Sequence, residues 1–107
     1  QNVNYLKLSK DRIIPAVSPK AMDNDSLKPE ALLHARLLHI DTRPGAWEYW
    51  FSKHGIEADR IRGPLFDQYL TMANAAVLNQ GVALLPDFIA EHEFHLGGLV
   101  AASKEHL

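Results

Sequence analysis

Two short segments of this 107-residue chain, Asp41-Thr42-Arg43 and Phe66-Asp67-Gln68-Tyr69, hold the side chains best suited to gripping a small molecule. Arg43 carries a planar guanidinium that can pair a carboxylate in bidentate fashion. Thr42 and Gln68 offer groups that orient polar atoms, and Phe66 or Tyr69 can wall a cleft. Ser18-Pro19 is a third candidate. Each has a purely structural alternative. Ser18 and Asp67 are good helix N-caps, Phe66 suits a core as well as a cleft wall, and Arg43 can be a solvated loop charge.

Other residue types invite chemistry less specifically. Trp47, Trp50, Phe51 and His54 fall at i, i+3, i+4 and i+7, one face of a helix, and aromatic residues at that spacing are more often core than a ligand box. Trp47 stands nearest the Thr42-Arg43 segment and keeps a claim on the ligand. His92 and His95 sit three apart with Glu91 and Glu93 beside them, but a catalytic zinc needs three protein ligands and no third is evident, so no metal is expected. The chain contains no cysteine, nucleophile elbow, phosphate-cradling glycine loop or histidine-glutamate zinc motif. Ser18, Ser52 and Ser103 have no base at motif spacing. No catalysis and no cofactor are expected.

Elements must bring these segments together. Gln1 to Lys10 reads as an extended segment, and Arg12 to Val17 as a strand by its β-branched content. Pro15 cannot donate to a ladder, which predicts an edge position or a bulge. Ser18-Pro19 starts a short helix that Asp23-Asn24-Asp25-Ser26 ends with turn chemistry. A second short helix runs from Pro29 to about Ala35, with Leu32 and Leu33 inward. Leu37 to Ile40 is a short apolar strand, and the helix of the two tryptophans stops at Gly55. Arg60 to Leu65 is extended, Asp67 caps a helix running to about Asn79, and Val82 to Leu85 has the unbroken apolar character of a strand covered on both faces. A helix from Asp87 to about His95, ended by Gly97-Gly98, leads to a last strand at Leu99 to Ala101 and a polar tail. Strands alternating with helices predict an α/β layer structure with a mainly parallel sheet flanked by helices. In such a sheet ligands bind at the C-terminal ends of strands, where all three candidate segments are expected.

Composition sets the outer limits. The net charge of −2, with both signs interspersed, lacks the basic excess of a nucleic-acid-binding domain. No apolar run is long enough to span a bilayer, and the N-terminus lacks a signal-peptide pattern. A cysteine-free chain fits a reducing cytoplasm.

Several segments in order carry a resemblance. They are Ile14-Pro15-Ala16-Val17-Ser18-Pro19, Leu37 to Arg43, Trp47 to Gly55, Gly63-Pro64-Leu65-Phe66-Asp67, Ala75-Ala76, Asn79 to Pro86, and Gly98-Leu99-Val100. Over about nine-tenths of the chain, from Arg12 onward, they resemble the C-terminal part of LysR-type transcriptional regulators, in the subgroup of the glycine-cleavage activator and the β-lactamase regulators. That resemblance implies one lobe, the second, of a two-lobed, type 2 periplasmic-binding-protein-like sensor. Residues 1–107 would form a single partial effector-binding domain, with the winged helix-turn-helix and the first lobe outside it and the returning strand beyond Leu107. A small polar or anionic effector would sit between the lobes and touch the Thr42-Arg43 and Phe66 to Tyr69 regions. DNA would be bound only through the winged helix-turn-helix, in a homo-oligomeric, cytoplasmic, bacterial protein. Relatives carry small hydroxyl residues after the Phe-Asp pair where Gln68 and Tyr69 stand here, which implies a different effector or a narrower pocket. A lobe of a transport solute-binding protein is the alternative within the same fold class.

Overall fold

The computed structural model describes residues 12–22 and 28–103. The expected extended segment at Gln1 to Lys10, the turn at Asp23 to Ser26 and the tail end beyond Ser103 lie outside them. In chain order the elements are β1 (Ile13–Val17), a 3-10 turn (Pro19–Ala21), α1 (Pro29–Leu32), β2 (Leu37–Ile40), α2 (Ala46–Lys53), β3 (Leu65–Phe66), α3 (Tyr69–Val77), β4 (Val82–Pro86), α4 (Asp87–Leu96) and β5 (Val100–Ala101).

The five strands form one sheet in the order β3-β2-β4-β1-β5. β2 runs parallel to both β3 and β4, while β1 runs antiparallel to β4 and to β5. The α/β class holds, and the sheet is mixed where a mainly parallel one was expected. The path from β2 to β3 moves one way across the sheet and the path from β3 to β4 moves back over β2. Right-handed crossovers then put α2 and α3 on opposite faces, and the packing agrees. Ile14, Ala16, Leu38, Ile40, Ala83 and Leu85 face α3 and α4, whereas Ile13, Val17, Leu37, Val82 and Leu84 face α1 and α2. Strand alternation therefore feeds two cores. β4 is buried along Val82 to Leu85, as its apolar run requires. Ala73, Ala75 and Ala76 are buried against Ala16 and Ala83, so α3 approaches the sheet on small side chains.

Several boundaries differ from expectation. β1 is an interior strand despite Pro15. The carbonyl of Pro15 accepts from the amide of Ala102 at 2.8 Å, so both backbone groups of that residue face the short strand β5, and the missing donor does not interrupt the ladder with β4. α1 is a single turn that buries Leu32 and leaves Leu33 exposed. α3 begins one residue later than expected: Gln68 occupies the N-cap position, no side chain caps the helix, and Asp67 is exposed. Gly63 lies so close to the Leu37 carbonyl that a Cβ there would stand 1.9 Å from its oxygen. No larger residue fits that crossing without a backbone shift.

Candidate functional site

β2 and β3 end side by side, and the two candidate segments leave the sheet together. The amide of His39 donates to the Pro64 carbonyl at 2.9 Å and that of Asp41 to the Phe66 carbonyl at 2.8 Å. The chain after β2 then turns tightly, with the Arg43 amide donating to Ile40 and the Ala46 amide to Arg43. Thr42 and Arg43 are thereby held at the surface just before α2. β4 runs parallel to β2 and ends at the same edge. β1 runs against β4, so it reaches this edge with its beginning. Ile13 pairs with Pro86, and the Asp87 amide donates to the Arg12 carbonyl at 3.1 Å. Arg12 also makes a 3.7 Å ion pair with Asp87.

The same reversal removes Ser18 from the site. It follows the end of β1 and so lies at the opposite edge of the sheet from Thr42. Ser18 is 2% exposed, and its Oγ accepts from the Lys20 amide at 3.1 Å, capping the 3-10 turn. An antiparallel β1 is the physical reason that the expected three segments reduce to two.

The open space at this edge is a depression of about 290 Å³ lined by Ile13, Thr42, Arg43, Pro44, Gly45, Ala46 and Tyr49. Arg43 also borders a narrow crevice of about 10 Å³ that runs inward past Ala46, Trp47, Tyr69 and Met72. That crevice is the size of roughly one water molecule. Trp47 is 1% exposed. Its Nε1 donates to the Leu38 carbonyl at 2.8 Å, and its ring packs on Trp50 and Phe51 with centroids 5.8 Å and 5.7 Å away. It closes the crevice from below and belongs to the core. Tyr69 and Phe66 are half-buried against the α3 side of the sheet, while Asp67 and Gln68 are exposed. Of the predicted residues, Thr42 and Arg43 line the depression, Tyr69 and Trp47 line the crevice, and Phe66, Asp67 and Gln68 border neither.

Among the described residues, no carboxylate lies within 4.0 Å of the Arg43 guanidinium. Five lining residues were not among the predicted ones: Pro44, Gly45 and Ala46, which simply continue the Thr42-Arg43 segment, and Ile13 and Tyr49, which come from elsewhere. Ile13 was hidden by the unread direction of β1. Tyr49 is 50% exposed on a helix whose other aromatic residues are buried, and its position off the Trp47-Trp50-Phe51 face was the available signal. His92 and His95 are exposed on α4, and among the described residues no cluster of His, Asp and Glu could hold a metal ion.

Comparison with known proteins places this geometry in a family. The chain is 33% identical over 104 residues to the HTH-type transcriptional regulator TrpI of Pseudomonas aeruginosa, covering 94% of this chain and 35% of that protein. It is 32% identical to the glycine cleavage system transcriptional activator of Escherichia coli K12, covering 94% of this chain and 34% of the relative. It thus spans about a third of the length of these curated relatives. In structure it is similar to the effector domain of the transcriptional regulator AmpR of P. aeruginosa, with a TM-score of 0.77 and 26% identity over 92% of this chain and 47% of that one. The effector-binding domain of AmpR from Citrobacter freundii, 23% identical, shares the fold with a TM-score of 0.76 over 92% of this chain and 49% of that one. The LysR substrate binding domain model matches residues 1–106. The chain therefore belongs to the LysR substrate-binding domain family.

Proposed function

We propose that residues 1–107 form a single lobe, the second, of the effector-sensing domain of a LysR-type transcriptional regulator, and that Thr42 and Arg43 belong to the wall that meets the effector. The observation that carries this reading is the family match over residues 1–106, together with a surface depression at the strand ends, where α/β sheets bind ligands. The half-length coverage of the AmpR effector domains supports one lobe of two. The effector is small and polar or anionic, and a first lobe supplies its other contacts. Tyr69, beside the Arg43 crevice, is the part of the Phe66 to Tyr69 segment nearest that effector.

In this role the lobe performs no catalysis. Effector binding shifts the balance between lobe orientations, and only a difference in affinity between those orientations can do so. DNA contact belongs to a winged helix-turn-helix elsewhere in the protein, which the net charge of −2 on this chain favours. The protein works in the cytoplasm as a homo-oligomer. Among the described residues no helix is long and apolar enough to cross a membrane.

Deleting the gene that encodes this chain and profiling transcripts tests the proposal. A discrete set of transcripts is expected to change, and to be restored by the intact gene. An unchanged profile across growth conditions, with a defect in solute uptake instead, would favour the transport reading.

A further inference from the structure

We infer that the depression between Arg43 and Tyr49 selects a small carboxylate that carries an apolar, ring-sized group, a conclusion that rests on the effector-wall reading above. Arg43 supplies the charge, and no described carboxylate neutralises it. A free guanidinium at the rim of a concavity favours a planar anion that accepts two hydrogen bonds.

Apart from Thr42 and Gly45, the remaining lining is apolar or aromatic: Ile13, Pro44, Ala46 and the ring of Tyr49. α2 buries Trp47, Trp50 and Phe51 to 1% exposure or less but leaves Tyr49 half exposed. Lys53, one turn further on, places its Nζ 5.2 Å from the Tyr49 ring centroid and does not itself line the depression. Glu48 keeps its negative charge, but it does not line the depression, and its Oε2 is turned to the Ile61 amide, from which it accepts at 3.0 Å.

Gly45 is the N-cap of α2, a position at which glycine is common. Its backbone, at φ −129°, is one that other residues adopt, and a Cβ added there would meet nothing within 4 Å. The space beside it is open, and the absent side chain leaves the depression clear. The depression is open to solvent, and its volume of about 290 Å³ leaves room for a ring-sized group.

The inference is tested on the 107-residue chain by titrating phenylacetate, 2-phenylethanol and acetate against the backbone amide signals in NMR. Phenylacetate is expected to shift the signals of residues 42–49 saturably, with a Kd on the order of a millimolar for so small a ligand. The alcohol, which lacks the charge, and acetate, which lacks the ring, should each bind roughly tenfold more weakly. Arg43→Gln should reduce phenylacetate to the level of the alcohol, and Tyr49→Ala should reduce it to the level of acetate. Both side chains are at the surface, so the remaining spectrum should be preserved. Shifts centred away from residues 42–49, no saturable shift, equal binding of acid and alcohol, or indifference to Arg43→Gln would overturn the ligand class. The regulator reading stands or falls separately on the transcript profile.

Discussion

Arg43 and Trp47 stand four residues apart and have opposite fates, and the difference lies in what each polar group can reach. The Trp47 indole N–H finds the Leu38 carbonyl inside the core, so its large ring can be buried without leaving a donor unsatisfied. Trp47→Phe would leave that carbonyl without its side-chain donor and should lower stability by about 1–3 kcal/mol, read as a reduced urea midpoint with an unchanged slope. Gly63→Ala should be worse for its size. A Cβ 1.9 Å from the Leu37 oxygen forces β2 and the Gly63 segment apart, and a loss of more than about 2 kcal/mol is expected. A loss below 0.5 kcal/mol would show that the crossing yields easily. The sequence identified Thr42 and Arg43 as surface chemistry from their types and their place after a strand. It did not reveal that the Trp47 donor is satisfied internally, because that bond spans nine residues and depends on how α2 packs.

At the scale of elements, strand periodicity says which faces are buried and nothing about direction. β1 was recognisable from Ile13, Ile14 and Val17, yet its antiparallel course alone moves Ser18 to the far edge and brings Ile13 to the site. Pro15 was misread for a related reason. Its missing donor matters only on the side it faces, and that side is the short strand β5. Ser18→Ala should cost about 0.5–2 kcal/mol through the lost cap, visible in thermal unfolding, and should leave ligand response intact. Asp67→Ala should change stability by less than about 0.5 kcal/mol, because Asp67 is exposed and caps nothing. A larger loss at Asp67 would restore the cap that the sequence pattern implied.

For the whole molecule, one sheet packed on both faces by two cores holds the strand ends of β2, β3 and β4 together on one side. The alternation of strands and helices was enough to read the α/β class, and the ordered motifs were enough to read the family. The mixed sheet was not readable, since the order β3-β2-β4-β1-β5 depends on pairings between strands far apart in sequence. On the proposed two-lobed arrangement, this chain alone should bind effector at least tenfold more weakly than the two-lobed protein, a difference of about 1.4 kcal/mol that calorimetry would resolve.

On the proposed function, the Thr42-Arg43 edge is the effector wall of a transcriptional regulator. The most direct test places Arg43→Gln in the gene that encodes this chain and measures two things together, occupancy of the regulated promoter by footprinting and output from that promoter under inducing conditions. Normal occupancy with the induced response lost is expected. An induced response equal to that of the parent protein, at equal occupancy, would contradict it.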